Sequence, residues 1–306
     1  MPPSGAGQPA RVESRTSWGA WTLLAVGVFS VSISSILIRY AEAAEPLAIS
    51  FWRCAAGAVM LAPFGRSGFA RLTPRGWLLP LLAGAFLAVH FGSWITSLQL
   101  TSIASSVLLV STTPIFTALA ARYLFGDRLR TPMWAGIGLT LAGTALIALA
   151  GGGEAGEATL AGDALALLGA ITVAGYTLAG EVSRRQLGIV EYAVITYGSA
   201  ALLLLPVCLA AGIPLWGYPP MTWASLAGIV LGPQLLGHTT LNYVLKNLDS
   251  TTVSVAVMAE PPIAIALAFV LFAETPSLLV YPAGAAILAG ILLVSIDRGR
   301  APEIVE

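Results

Sequence analysis

Long stretches of this chain carry no Asp, Glu, Lys or Arg, and they recur at the length of a membrane crossing. A spanning helix needs roughly 20 mostly apolar residues. Residues 19–38 form one such run, and 46–64 form a second, interrupted only by Arg53. From 76 to 121 no charged residue occurs, a run of 46 residues that is too long for one crossing and must fold back. Polar residues cluster at 99–102, so crossings are predicted at 76–98 and 103–124. A fifth is predicted at 132–150, closed by Gly151, Gly152 and Gly153, and a sixth at 160–180. The uncharged run 192–245 breaks at 212–220, where Pro214, Pro219 and Pro220 interrupt helix; the seventh and eighth crossings flank that break. The ninth and tenth are expected at 250–272 and 278–296. The fold class is thus all-α and membrane-embedded, with ten predicted transmembrane helices.

Composition agrees with lipid as the solvent. Only 10% of residues are charged and 57% are hydrophobic, whereas a soluble domain carries about 25% charged residues. The net charge is zero, so nothing points to nucleic acid. Cys54 and Cys208 both lie in apolar runs, which argues against a disulfide framework or a zinc site and for packing roles. The Ala41-Glu42-Ala43 stretch after the first crossing has the form of a signal-cleavage motif. That run is longer than a usual signal core, and the first crossing is expected in the mature protein.

Charge also orients the chain, since cytoplasmic loops are rich in Lys and Arg. With both termini inside, 13 of the 15 basic residues fall on the inner side, all but Arg39 and Arg53. Glu42, Glu45, Glu154, Glu157 and Glu274 fall outside. The expected location is the cell (inner or plasma) membrane.

The second half repeats the first. A shift of 147 residues lays Pro114 on Pro261, Phe125 on Phe272, Asp127 on Glu274 and Gly143 on Gly290. A shift of 143 lays Gly19 on Gly162, Leu24 on Leu167 and Pro63 on Pro206. Five crossings per copy is an odd number, so the copies must enter the membrane from opposite sides. Such inverted-topology repeats are common in secondary transporters. The expected organisation is a tail at 1–17, a five-helix repeat at 18–150, an outer linker at 151–159, a second repeat at 160–296 around a shared central cavity, and a tail at 297–306. Gly136 and Gly143, with Ala283 and Gly290 in the copy, are read as close-packing positions.

Here the chain resembles the drug/metabolite transporter superfamily, EamA type, over about 18–296. The resemblance rests on Thr101-Ser102-Ile103-Ala104-Ser105-Ser106, then Thr113-Pro114-Ile115-Phe116 and Gly126-Asp127. Its counterpart is Ser250-Thr251-Thr252-Val253, Glu260-Pro261 and Ala273-Glu274, and Phe51-Trp52-Arg53 also fits. Asp127 stands where family members often have Glu, and Pro262 doubles the proline after Glu260. The resemblance implies export of amino acids or related metabolites through a central cavity.

Ionisable and polar groups inside a membrane mark candidate sites. Glu260 falls near the middle of the ninth crossing, where Pro261 and Pro262 free the carbonyls of Val257 and Met258. It is either a proton or ammonium partner, neutral when closed off and ionised when water enters, or a protonated carboxyl tying the kink to a neighbour. His90 has Phe86 and Trp94 one turn either side, and Gln234, His238 and Asn242 repeat that spacing with Tyr243 adjacent. A polar stripe in lipid must face protein or water, and cavity lining is favoured over interhelical bonding. Both histidines belong to the residue type that titrates near neutral pH. Ser30, Ser34, Ser111, Thr172, Tyr176 and Met258 complete the candidate substrate-binding set. Arg53 is expected first to snorkel outward or pair with an acid, and second to hold a substrate carboxylate.

No HExxH, GxSxG or P-loop occurs, so hydrolytic and ATP-driven chemistry lack their usual parts. The reading is a non-enzymatic secondary transporter with no cofactor and no metal, acting on a small-molecule solute within the lipid bilayer, with protons as the candidate coupling ion. An intramembrane enzyme acting on a lipid-linked substrate is the alternative.

Overall fold

The computed structural model of the chain describes residues 18–65, 69, 74–101, 106, 109–126, 130–150, 160–272 and 278–299. Every regular element among them is helical. They are α1 (Trp18–Ser32), α2 (Ser34–Tyr40), α3 (Pro46–Leu61), α4 (Pro74–Leu100), α5 (Thr113–Phe125), α6 (Thr131–Ala150), α7 (Leu160–Arg184), α8 (Ile189–Ala210), α9 (Pro220–Ile229), α10 (Thr239–Val244), α11 (Ser250–Val257), α12 (Glu260–Phe272) and α13 (Val280–Gly299). A π-helical stretch, Val230–His238, joins α9 to α10. Six continuous or near-continuous segments are long and apolar enough to cross a bilayer: Trp18–Tyr40, Pro46–Phe64, Gly76–Leu100, Leu160–Arg184, Ile189–Ala210 and Ser250–Leu271. The predicted tail at 1–17, residues 300–306 of the predicted tail at 297–306, the linker 151–159, and Asp127 and Glu274 lie outside the described residues.

Local chemistry explains most boundaries. Proline opens α3 and α9, where a missing N–H costs no intrahelical bond. Asp249 caps α11, its carboxylate accepting from the Thr252 N–H at 3.0 Å and the Thr252 hydroxyl at 2.7 Å. The connection after α8 reverses with Gly212 (φ 68°) and Gly217 (φ 87°), the left-handed conformation glycine adopts without a Cβ clash. This is where the clustered prolines predicted a break. The turn is covered by Trp52, Trp216 and Trp223, and Trp52 donates its indole N–H to the Leu215 carbonyl at 2.9 Å. Such aromatic clusters suit a membrane–water interface.

Three crossings are broken, and the break in the ninth falls beside the prolines that predicted a kink there. The first breaks between α1 and α2, where the Ser32 hydroxyl donates back to the Val28 carbonyl at 2.7 Å, a bond that bends helices. The ninth breaks at Met258–Ala259, and α12 restarts at Glu260 with Pro261 and Pro262 in its first turn. In the fourth, a turn at Ser111–Thr112 separates helical Leu109 and Val110 from α5, which has Pro114 in its first turn. The breaks ahead of Pro114 and Pro261, at 111–112 and 258–259, are separated by the same 147 residues as the two prolines. The broken helices meet where the Thr117 and Ser254 hydroxyls hydrogen-bond at 3.1 Å. The sixth crossing also runs past the predicted 180 to Arg184, and α13 runs past 296 to Gly299.

Packing pairs the two halves. Helices α6 and α13 cross so closely that a Cβ on Gly136 would stand 2.7 Å from the Gly290 carbonyl, and one on Gly143 would stand 2.6 Å from the Ala283 carbonyl. Numbers rise along one helix as they fall along the other, so the pair is antiparallel. Elsewhere Gly169 and Gly175 of α7 face Trp94 and Phe86 of α4. Likewise Gly27 of α1 faces Leu241 of α10, and Gly237 faces Val31. Both of these pairings are also antiparallel. Small residues let backbones approach where lipid supplies no hydrophobic drive.

Candidate functional site

The eighth crossing carries the polar stripe, and its geometry is set by a π turn. Pro233 has no N–H to donate, so regular α-helical bonding fails around it. The Thr239 N–H reaches five residues back to the Gln234 carbonyl. That carbonyl also accepts from the Thr239 hydroxyl at 3.2 Å and from the Tyr197 hydroxyl at 3.5 Å. Single π turns inside helices occur frequently at functional sites. Here the turn aims Gln234 at α3 and α8, and His238 at α4 and α7.

Arg53 is the centre of this arrangement, and it corrects the expectation of snorkelling. It is 1% exposed. Its Nε–H donates to Gln234 Oε1 at 2.8 Å, and its guanidinium lies 3.9 Å over the Phe91 ring. Snorkelling fails because α3 is packed on α4, α8 and the π stretch, so the side chain has protein rather than an open path on every side. Hydrogen bonds to a charged group contribute about 1.5–3 kcal/mol, and a desolvated cation–π contact about 2 kcal/mol. Burying a charge costs several kcal/mol even after relaxation. Arg53 Nη1 and Gln234 Nε2 are both buried with no partner.

Other predicted residues gather around this pair. Phe91 meets His238 edge-on at 5.3 Å, and His238 meets Tyr176 at 6.2 Å. The Asn242 side-chain amide donates to the Tyr176 hydroxyl. His90 stacks on Trp94 with rings 5.8 Å apart and 7° from parallel. His90 Nδ1 lies 2.9 Å from the Gly169 carbonyl. A carbonyl only accepts, so Nδ1 carries the proton and Nε2 of the neutral ring is left as an acceptor. The Trp94 indole N–H is buried without a partner.

The remaining predicted residues fall elsewhere. Met258 is buried against Ala283 and Ile287, so it packs toward α13 rather than with the aromatic group. Tyr243 is 46% exposed and faces the Arg184 guanidinium at 6.0 Å. Thr172 is buried, but its hydroxyl donates to its own helix at Leu168 and Gly169. Ser30 is buried on α1, and Ser34, also buried, has an unpartnered hydroxyl on α2. Ser111 is half-buried in the turn before α5. Glu260 is half-buried at the start of α12.

Sequence reasoning missed Phe91 and Tyr197. Both lie in apolar runs, and Phe91 sits one position off the His90 face. The signal available was Arg53 itself, a lone cation in an uncharged run, which calls for an aromatic face or an acceptor nearby. Of the residues expected to line one pocket, His90, Trp94, Tyr176 and His238 lie together in the cluster, to which α3 and α8 also contribute, while Met258 lies apart. A pocket of about 230 Å³ lies apart, at the ends of α2, α3 and α4, lined by residues including Ile38, Glu42, Pro46 and Gln99.

A buried polar cluster enclosed by apolar helices of membrane-crossing length marks the chain as a membrane protein. The chain belongs to the EamA-like transporter family, whose model matches it twice, over residues 17–149 and 160–296. A protein of Streptantibioticus cattleyicolor named "Probable terminal-alkyne amino-acid exporter" is 28% identical over 189 residues, 61% of this chain and 62% of that protein's length. An "Uncharacterized transporter" of Archaeoglobus fulgidus is 25% identical over 82% of this chain and 88% of its own. The "Uncharacterized inner membrane transporter YedA" of Escherichia coli K12 is 24% identical over 84% of each. A protein of known crystal structure superposes with a TM-score of 0.77 at 19% identity, covering 92% of this chain and 99% of that one. That likeness is one of fold.

Proposed function

We propose that the protein exports amino acids or related metabolites by alternating access, through ten crossings arranged as two inverted five-helix repeats with both termini cytoplasmic. One observation carries this reading. The repeat exchanges Gly136 with Ala283 and Gly143 with Gly290, and α6 meets α13 through the crossed pairs Gly136–Gly290 and Gly143–Ala283. Equivalent helices that touch antiparallel through exchanged positions are what a two-fold axis in the membrane plane would produce. The α4–α7 and α1–α10 contacts support it further, since the third and eighth crossings are counterparts, as are the first and sixth. The double family match supports two copies, and the named exporter supports the substrate class.

In this reading the substrate is held by His90, Trp94, Tyr176, Gln234, His238 and Asn242, with Ser34 at the break in the first crossing. Glu260, at the break in the ninth, is the coupling residue. The test is counterflow and pH-gradient-driven uptake of a panel of labelled amino acids by purified protein in liposomes. Movement of no amino acid would overturn the substrate class. Topology is tested by single cysteines at positions 155 and 298, after replacing the buried Cys54 and Cys208. Opposite-side labelling is expected, and same-side labelling overturns the inverted arrangement.

A further inference from the structure

We infer that Arg53 and Gln234 form a carboxylate-recognition site, so that the solute carried is an organic acid or amino acid bound through its carboxylate; this rests on the transporter reading above. Buried atoms left unpartnered around the cluster include, besides the Tyr192 hydroxyl, Arg53 Nη1, Gln234 Nε2 and Trp94 Nε1. All three nitrogens are donors. The Gln234 orientation is fixed by chemistry, because Arg53 Nε–H needs an acceptor and only Oε1 can be one. The amide NH₂ is therefore the free end. Donors without acceptors around a buried cation describe the complement of an anion with two lone-pair-bearing oxygens.

The rest of the geometry agrees. Phe91 covers one face of the guanidinium at 3.9 Å and Gln234 takes Nε–H, which leaves an Nη edge for the bidentate grip arginine makes on carboxylates. Among the described residues no carboxylate hydrogen-bonds to Arg53. Arg53 is 1% exposed and Gln234 is fully buried. The site is therefore closed to solvent as it stands, and loading requires the helices around it to part, as alternating access provides. A structural arginine would be satisfied in this state by a resident acid; this one has an aromatic face, one amide oxygen and a free edge.

The experiment measures thermal unfolding and binding isotherms of the full-length protein in nanodiscs. The probes are L-amino acids, 2-oxo acids and monocarboxylates, each paired with its amide and its decarboxylated amine or alkane analogue. At least one carboxylate should stabilise the protein while its amide and decarboxylated partner do not. Arg53→Lys keeps the charge but loses the fork and should weaken that binding at least tenfold. Trp94→Phe keeps the ring, loses the N–H and should weaken it about fivefold. Trp94→Phe keeps the buried ring, so it carries the test if Arg53→Lys does not fold. The inference is overturned if no carboxylate binds, if amides bind equally well, or if Arg53→Lys binds like the parent. Carboxylate binding without transport in liposomes would sink the transporter reading and leave the site standing. Transport of a solute indifferent to Arg53→Lys would do the reverse.

Discussion

Two regions of this molecule solve the same problem, holding helices together in lipid, in opposite ways. Along the α6–α13 seam, contact is made by leaving side chains out. Gly136, Gly143 and Gly290 bring backbone against backbone, and the Thr140 and Thr144 hydroxyls donate within their own helix. In the Arg53–Gln234 cluster, contact is made by large polar and aromatic side chains that reach between helices, and several donors go unused. The seam is closed and self-sufficient; the cluster carries electrostatic cost that a bound solute would relieve. In the proposed carrier, the seam would serve as a stiff pivot and the cluster as the interior that a solute completes.

The comparison breaks first at the seam. Gly290→Val would drive a Cβ to 2.6 Å from the Gly136 carbonyl, and backbone cannot yield as a flexible side chain can. Overpacking of this kind costs about 3 kcal/mol or more. Loss of the monodisperse, folded protein in detergent is expected by size-exclusion chromatography, and a normal melting curve would show the seam to be soft.

Glu260 gives the next largest effect. Glu260→Gln keeps shape and hydrogen bonding but cannot release a proton. Gradient-driven accumulation should vanish while substrate exchange persists. Accumulation at the parent level would remove Glu260 as the coupling residue, and its role would then be to tie the break to its neighbours.

Within the cluster, Trp94→Ala deletes the surface on which His90 stacks and one unused donor. Transport should weaken about tenfold, equivalent to ~1.4 kcal/mol, with the melting temperature shifting by only a few degrees. A large drop in melting temperature with unchanged transport would make Trp94 a packing residue, and the cluster would then resemble the seam. The smallest effect is expected at Tyr243, which is half exposed beside Arg184. Tyr243→Phe should change initial transport rates by less than about twofold, since it removes only a hydroxyl outside the cluster. A tenfold loss would place the boundary of the site one turn further along α10.

The sequence alone carried the features that depend on local periodicity and on the bilayer. The long uncharged runs must be helices, because lipid cannot satisfy backbone groups. The crossings at 46–64, 76–98 and 250–272 lie within two residues of helices or helix pairs in the structure, and the glycines at 136, 143 and 290 marked a close seam because nothing else explains their spacing. Tertiary structure alone decided what the polar side chains meet. Whether Arg53 reaches water, an acid or an amide depends on which helix packs beside α3, and that is set by contacts 181 residues apart. The π turn at Gln234 is likewise invisible to helical periodicity, since it changes which face His238 presents. Breaks ahead of Pro114 and Pro261 fall between these cases. The prolines mark the spot, but only packing lets Thr117 meet Ser254 beside the two breaks.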